Sequence, residues 1–221
     1  MSKPLLIFGI GDIAEVAHFY FQNDSDRELA AFTVDSEFLS KSELLQLPVV
    51  PFENIAESHP PEDFDIFIAV SYTKLNAIRM EKYLAAKKLG YEVASYVSSS
   101  ATILNGHQIG ENCFILEDNT IQPFSKIGNN VTLWSGNHIG HHSTIHDHTF
   151  ISSHVVISGG VTVGEQCFLG VNCTVRDHVT IGDRSVLGAG SLLLTDAEPE
   201  SVYMIKGTEK SRVPSTRLRK I

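Results

Sequence analysis

The chain has few residues of the kinds that mark disulfide-bonded, membrane-spanning or nucleic-acid-binding proteins. Its 221 residues include three cysteines and no CxxC pair, so we expect no disulfide framework and a reducing, cytoplasmic location. No apolar run approaches the ~18 residues that a membrane span needs, and residues 1–30 lack a signal-peptide layout. Acidic residues outnumber basic ones by 26 to 17, and the net charge of −9 argues against nucleic acids and anionic membranes as partners.

What the sequence does contain is an unbroken hexapeptide repeat. From residue 101 to residue 196, the third position of each of sixteen consecutive hexapeptides is Ile, Leu or Val, without one insertion. The last two positions are rich in Gly, Asn, Asp and His, which tolerate the backbone angles of a sharp corner. A fixed period this short predicts a parallel β-helix in which three hexapeptides form a coil of about 18 residues. Residues 18 apart should then stack, at roughly the 4.8 Å spacing of paired strands.

The first position of the hexapeptide is small or compact, as an inward position beside a large aliphatic one requires. Cys113, Cys167 and Cys173 all occupy it, which indicates packing and excludes them as acyl-accepting nucleophiles.

The sequence before the repeat has a different pattern. Strand and helix patterns alternate there, which predicts a small Rossmann-like α/β domain with a parallel sheet. We therefore expect two domains, at residues 1–98 and 99–221. The predicted elements of the first are a strand at 5–8, a helix at 12–22, strands at 29–34, 49–52 and 65–70, a helix at 75–89 and a strand at 91–97.

A glycine-rich turn follows the first predicted strand. Gly9 and Gly11 belong to a GxGxxA pattern that opens the first helix, where free N–H groups and the helix dipole favour phosphate. Asp35 closes the second strand, where an acidic residue can hold ribose hydroxyls, and Ser71 lies in the loop after the strand at 65–70. The alternative is that the glycines only make a tight turn. Fewer than 100 residues hold one mononucleotide half of such a fold, which favours a nucleotide or nucleotide-linked ligand over a dinucleotide.

Histidines are concentrated in the repeat. Four of them stand at the sixth, corner position, where a residue can be chosen for backbone tolerance alone: His142, His148, His154 and His178. His107 and His138 are interpreted as packing residues. His141 differs, because it stands beside a corner and the residue 18 positions later is Gly159. The period predicts a general base one strand spacing from a flexible backbone N–H, and acyl transfer needs such a pair.

On these residues the chain resembles the bacterial nucleotide-sugar acetyltransferases. They N-acetylate amino sugars for surface glycans such as O-antigen or capsule, and they are grouped with the sialic acid O-acetyltransferases of the hexapeptide-repeat superfamily. The resemblance covers residues 3 to about 205 and rests on the hexapeptide array, the Ile-Gly-His corner and the GxGxxA turn. It implies a left-handed parallel β-helix, a homotrimer, acetyl-CoA bound between adjacent prisms, and a nucleotide-linked amino sugar held by the N-terminal domain.

The resemblance also implies roles for particular residues. His141 would be the catalytic base, and the Gly159 N–H would hold the thioester oxygen. Gly9, Gly11, Asp35 and Ser71 would meet the nucleotide sugar. The residues expected along the acetyl-CoA path are Gly159, Gly170, Asn172, Gly188 and Gly190.

A basic tail follows residue 205. Its six cations are Lys206, Lys210, Arg212, Arg217, Arg219 and Lys220. The tail is either a solvated segment or a site at which Lys206, Lys210 or Arg212 pairs with the phosphates of CoA.

The chain departs from the family pattern near the expected base. His142 stands where the family usually has Asp or Glu, and Phe150 replaces the second histidine that often lies nine residues after the base. The residue that orients His141 therefore stays open between His142, His148 and His154.

Other functions stay open. O-acetylation of a sugar would use the same base and donor. A zinc hydratase of the carbonic anhydrase type would use the many histidines, although we expect no metal. A non-catalytic scaffold or sugar sensor is the third alternative.

Overall fold

The protein is described by a computed structural model that covers residues 2–104 and 108–217. His107, Arg219 and Lys220 lie outside the described residues.

The N-terminal domain is a five-stranded sheet with helices packed against it, as predicted. Its strands are β1 (Leu5–Phe8), β2 (Leu29–Val34), β3 (Glu43–Leu44), β4 (Leu47–Pro51) and β5 (Asp65–Ile68). Its α-helices are α1 (Asp12–Asn23), α2 (Ile55–Ser58) and α3 (Ala77–Lys88), and short 3-10 helices span Ser36–Phe38 and Phe52–Asn54. The strand order is β3-β4-β2-β1-β5, and all pairs are parallel except the β3–β4 hairpin. β1 and β5 are fully buried four-residue strands, which explains why all of β1 and the last three residues of β5 are apolar.

The second domain is a triangular prism of three parallel sheets. Sheet I contains Thr102–Ile103, Thr120–Ile121, His138–Ile139, Val156–Ile157, Thr174–Val175 and Leu192–Leu193. Sheet II contains Gln108–Ile109, Lys126–Ile127, Thr144–Ile145, Thr162–Val163 and Thr180–Ile181. Sheet III contains Tyr96–Val97, Phe114–Ile115, Thr132–Leu133, Phe150–Ile151, Phe168–Leu169, Val186–Leu187 and Val202–Tyr203. The chain visits sheets I, II and III in turn, so three corners result, which we name I–II, II–III and III–I. A 3-10 helix, Ser215–Arg217, follows the prism.

The register of the prism confirms the 18-residue period. Ile121 pairs with Ile139, and Ile139 pairs with Ile157, each 18 residues on. The aliphatic column fills the interior, and the three cysteines are free and buried among it. Sixth-position residues turn the corners with positive φ, among them His142 (59°), His148 (64°), His154 (58°) and His178 (59°). The interpretation of these four histidines as corner residues is therefore confirmed.

The N-terminal domain covers sheet III. Phe114 and Leu116, on the outer face of that sheet, are buried in the same cluster as Leu5 and Ile7 of β1. The strand predicted at 91–97 differs from the observed one. Only an isolated bridge joins Val93 to β5, and Tyr96–Val97 already pairs with Phe114–Ile115 of the prism. The two domains therefore share a core, and corner I–II, opposite sheet III, lies away from the N-terminal domain.

Candidate active site

Corner I–II carries the predicted base, His141, with an exposed side chain. Gly140, just before it, runs so close to the next coil that a Cβ there would lie 2.5 Å from the carbonyl carbon of Ser158. The imidazole lies against the backbone of Gly159. A Cβ at Gly159 would be 2.6 Å from Cε1 and 2.8 Å from Nε2 of His141. His141 and Gly159, which the 18-residue period predicts to be neighbours, are therefore in contact. The contact is possible because Gly159 has no side chain.

The N–H of Gly159 is available to an external acceptor. Its neighbours at the corner are already paired, because the His141 N–H donates to Gln122 Oε1 (2.9 Å) and the Gly160 N–H donates to the carbonyl of His141 (2.8 Å). Among residues 2–104 and 108–217, no acceptor pairs with the Gly159 N–H. A free N–H beside an imidazole is the arrangement that can stabilise an oxyanion next to a general base.

His142 is the residue that contacts the second ring nitrogen of His141. The two Nδ1 atoms are 3.1 Å apart, so one ring donates and the other accepts. The left-handed backbone of His142 turns its ring onto Phe124, with ring centroids 4.8 Å apart. When the Nδ1–H of His141 is the donor, its Nε2 carries the lone pair that a base requires. The sequence left the orienting residue open, and this geometry favours His142.

His148 and His154 do not orient His141, because they lie at other corners. His148 is buried at corner II–III, where its Nδ1 meets the amide nitrogen of Asn130 at 2.9 Å. His154 lies at corner III–I, and its Nδ1 would be 2.5 Å from a Cβ at Gly136. These two histidines pack against the neighbouring coil instead of serving the candidate site.

The four residues predicted to meet a nucleotide sugar all line one cleft. The cleft has a volume of about 710 Å³ and opens at the carboxyl ends of β1 and β5, and Gly9, Gly11, Asp35 and Ser71 are among its walls. After β1 the chain passes through α1 to β2, which lies on one side of β1 in the sheet. The later strand β5 lies on the other side of β1. Ligands of open α/β sheets bind at such a switch in strand order.

The two glycines of the cleft have different surroundings. Gly9 has a φ of +123°, and a Cβ there would lie 2.7 Å from the carbonyl oxygen of Ala69, so only glycine fits. At Gly11 a Cβ would meet nothing within 4 Å. Gly11 precedes the first residue of α1, and its lack of a side chain leaves the free N–H groups of that helix open to the cleft.

Asp35 is paired with a lysine that sequence reasoning missed. Lys82 Nζ lies 2.8 Å from Asp35 Oδ2 and 3.0 Å from Oδ1, and both side chains are 16% exposed. Burial works against the charge of Lys82, but its hydrogen bonds to Asp35 and Glu81 outweigh burial and raise the pKa of Lys82. The only sequence signal was helical spacing, since Ile78 and Lys82 are four apart on α3 and both line the cleft.

The loop that carries Ser71 ends in a left-handed turn. Lys74, Leu75 and Asn76 have φ values of 51°, 53° and 64°, and none of them is glycine. A left-handed residue other than glycine costs roughly 1–2 kcal/mol, less for asparagine. Such strain persists only where the surroundings fix the conformation, and it is common at ligand sites.

The residues expected along the acetyl-CoA path fall at two different corners. Gly170, Asn172, Gly188 and Gly190 stack at corner III–I, where Asn172 (φ 60°) and Gly190 (φ 73°) turn the chain. His141 and Gly159 lie at corner I–II. Within one protomer, sheet I separates corner III–I from corner I–II. The four residues at corner III–I therefore lie together, but they lie apart from the His141 imidazole.

The basic tail leaves the end of the prism. Val202–Tyr203 is the last strand of sheet III, and Lys206, Lys210 and Arg212 follow it with exposed side chains. The segment between that strand and Ser215–Arg217 has neither helix nor strand.

The part of the chain that the structure describes contains neither a metal-binding group of side chains nor a helix that could cross a membrane. No three His, Cys, Asp or Glu side chains there are grouped so that they could hold a metal ion. None of its helices has the length and apolarity that a membrane crossing requires.

Comparison with known proteins identifies the repeat. The sequence profile described as "Bacterial transferase hexapeptide (six repeats)" matches residues 124–159 and 160–195. This part of the chain is therefore similar to the hexapeptide repeats of bacterial transferases. No curated protein matches the chain in sequence.

Solved structures share the fold of nearly the whole chain. PerB from Caulobacter crescentus, solved in complex with CoA and GDP-perosamine, is 23% identical, with 91% of this chain and 94% of that chain covered and a TM-score of 0.81. The acetyltransferase domain of PglB from Neisseria gonorrhoeae is 20% identical, with coverages of 91% and 96% and a TM-score of 0.78. WeeI from Acinetobacter baumannii is 18% identical, with coverages of 91% and 96% and a TM-score of 0.77. The predicted fold, a small α/β domain followed by a left-handed β-helix, is confirmed.

Proposed function

We propose that this protein is an acetyl-CoA-dependent N-acetyltransferase that acts on a nucleotide-linked amino sugar. The observation that carries the proposal is the contact between the His141 imidazole and Gly159, whose N–H is unpaired within the described residues. The cleft lined by Gly9, Gly11, Asp35 and Ser71 supplies room for a nucleotide. Support also comes from structural relatives that are acetyltransferases or hold CoA and GDP-perosamine.

The reaction that fits this geometry is direct transfer. His141 Nε2 takes the proton from the sugar amine as its nitrogen attacks the thioester carbon. The carbonyl oxygen becomes an oxyanion that the Gly159 N–H stabilises. The carbon–sulfur bond then breaks, and the CoA thiolate leaves and takes the proton from the imidazolium. No acyl-enzyme is needed, and Cys113, Cys167 and Cys173 are buried, with pKa values raised by that burial.

The positions of the two sites favour an assembly of several copies. Tyr72, which lines the cleft, packs on Phe150 and Phe168 of sheet III, whereas His141 lies at the opposite corner of the same prism. A protomer's base therefore faces away from its own cleft. A neighbouring copy can bring its corner I–II to that cleft, and we propose the homotrimer that the resemblance implies.

The same packing gives acetyl-CoA a path between prisms. In a groove formed by two copies, corner I–II of one would face corner III–I of the next, which would unite His141 and Gly159 with Gly170, Asn172, Gly188 and Gly190 in one groove. Lys206, Lys210 and Arg212, beyond the last strand, would pair with the CoA phosphates. The expected pathway is synthesis of a surface glycan such as O-antigen or capsule, in the reducing cytoplasm, where the buried thiols remain free.

A thiol-release assay tests this function. The purified protein is supplied with acetyl-CoA and a panel of UDP-, dTDP- and GDP-linked amino sugars, each beside its hydroxyl analogue. We expect release of CoA with at least one amino sugar, at a rate at least 100-fold above that of its hydroxyl analogue. Release with hydroxyl sugars alone would replace N-acetylation by O-acetylation. Turnover with no member of the panel would count against both.

A further inference from the structure

The left-handed turn at the cleft is hydrogen-bonded to the prism. Gln166 Nε2, at corner II–III, donates to the carbonyl of Leu75 (3.0 Å). One residue further along the prism, the Cys167 carbonyl accepts from Asn76 Nδ2 (3.0 Å). Asn76 is fully buried, although asparagine is usually exposed. Two of the three left-handed residues, Leu75 and Asn76, are therefore bonded to groups 91 residues away in sequence.

A buried arginine adds further hydrogen bonds between the N-terminal domain and the prism. Arg79 is 1% exposed, and its guanidinium donates to the carbonyl oxygens of His148 (3.0 Å) and Thr149 (3.2 Å) and to Asn76 Oδ1 (3.3 Å). It also bonds the Thr132 hydroxyl. Burial lowers the pKa of Arg79 to about 9, which leaves it charged at neutral pH. No carboxylate among the described residues pairs with Arg79, so its hydrogen bonds to Thr132, Asn76 and the two backbone carbonyls must offset the cost of burying its charge.

The start of the loop is anchored to the prism as well. The Tyr72 ring packs on Phe150 (5.1 Å between centroids) and on Phe168 (4.8 Å), while half of its surface stays exposed to the cleft. On either side of Tyr72, the hydroxyls of Ser71 and Thr73 lie 3.1 Å apart at the cleft wall. The loop thus offers two hydroxyls to a ligand from a backbone that the prism holds in shape.

We propose that Gln166, Asn76 and Arg79 are positioning residues that clamp residues 71–76 in the conformation that binds the nucleotide part of the substrate. The inference rests on the proposed function and adds that the prism, besides carrying the base, determines the affinity of the nucleotide cleft.

The test uses Gln166→Asn in the full-length chain. Gln166 has a φ of 58°, which asparagine tolerates, and the side chain one methylene shorter no longer reaches the Leu75 carbonyl. The dissociation constants of GDP, UDP and dTDP are measured by calorimetry, and the KM for acetyl-CoA is measured in parallel. We expect at least a tenfold loss of affinity for the nucleotide that binds wild type best, with less than a twofold change in the KM for acetyl-CoA.

Arg184→Asn is the matched control. Arg184 occupies the equivalent corner one coil further on, with a φ of 56°, and it pairs with Glu200 instead of the turn. The control should bind nucleotides as wild type does. Unchanged nucleotide affinity in Gln166→Asn would overturn the proposal, and so would an equal loss in Arg184→Asn.

Amide hydrogen exchange tests the clamp without any ligand. The Asn76 N–H donates to the Tyr72 carbonyl (3.1 Å) and the Ala77 N–H to the Lys74 carbonyl (3.2 Å). In Gln166→Asn we expect these two amides to exchange at least tenfold faster, while amides of sheets I and II keep their rates. Unchanged exchange would reject the clamp. If no nucleotide binds wild type but exchange accelerates, the clamp stands and the proposed substrate fails.

Discussion

The imidazole of His141 rests on the backbone of Gly159, one coil further along the same corner, with no room for a methyl group between them. We predict that Gly159→Ala folds, because the exposed ring of His141 can swing away, but loses catalytic geometry. An added Cβ would lie 2.6 Å from Cε1 of the ring, so the base must move. Alanine keeps the backbone N–H, so the loss comes from displacement of the base, and we expect kcat to fall about 100-fold, within the usual contribution of a general base. Steady-state kinetics and the thermal midpoint measure the two effects, and unchanged kcat would mean that this contact has no role in transfer.

Removal of the base should be the most damaging change at the corner. We predict that His141→Asn lowers kcat by about 10²–10⁴, the usual contribution of general-base catalysis. Exposed His146, at the outer face of sheet II, provides a control, and His146→Asn should stay within twofold of wild type. Near-normal turnover in His141→Asn would refute the assignment.

His142 should act through His141 and not through the substrate. The Nδ1–Nδ1 contact of 3.1 Å amounts to one neutral hydrogen bond, worth about 1 kcal/mol. We therefore predict that His142→Ala lowers kcat roughly fivefold to tenfold with little change in either KM. His142→Asp, whose carboxylate can accept from the Nδ1–H of His141, should recover most of the activity. A loss of equal size in both variants would show that a hydrogen bond to the His141 Nδ1–H is not what His142 contributes.

Contacts within the β-helix could be predicted from the sequence because the 18-residue period fixes which residues stack. With no insertion, residues 18 apart must stack, so the neighbours His141 and Gly159 follow from their numbers alone. The same period predicted that His148, His154 and His178 are corner residues. Prediction failed for contacts that depend on how the two domains meet. Arg79 and Gln166 are unremarkable in sequence, and their partners follow from the docking of α3 on sheet III.

The nucleotide cleft shows the same limit. Asp35 was identified because it ends β2 at the edge of the sheet where ligands bind. Lys82 was not, because its partner lies 47 residues earlier and the contact depends on how α3 packs on the sheet. The strand at 91–97 was predicted as the last strand of the first domain, but Tyr96–Val97 pairs with the prism.

Lys82 should matter for nucleotide binding through Asp35. If Asp35 accepts ribose hydroxyls, Lys82 holds its carboxylate in position through the ion pair at 2.8 Å. We predict that Lys82→Met raises the KM for the nucleotide sugar about tenfold and leaves the KM for acetyl-CoA unchanged. Asp35→Asn should have a similar effect, and the double variant should be little worse than either, because the two residues act as a unit. Lys88→Met, at an exposed position on α3, is the control.

Acidification should loosen the junction between the domains through His148. A one-directional chain of hydrogen bonds ends at this ring. The Ile68 N–H donates to Asn112 Oδ1 (2.8 Å), Asn112 Nδ2 donates to Asn130 Oδ1 (2.7 Å), and Asn130 Nδ2 meets His148 Nδ1 (2.9 Å). His148 Nδ1 must accept in this chain, so the ring is neutral.

Burial lowers the pKa of His148, and nearby Arg79 acts in the same direction, against the opposing charge of Asp147. The unfolded chain therefore binds the proton more readily than the folded one. Stability from this site is present above the ordinary histidine pKa of 6.5 and is lost as the pH falls below it. We predict that the free energy of unfolding in urea drops more between pH 7 and pH 5 in wild type than in His148→Asn, whose amide can accept from Asn130 at a left-handed corner. His18 and His59, whose pKa values burial also lowers, contribute equally to both proteins. Parallel pH profiles for the two proteins would show that the chain does not depend on a neutral His148.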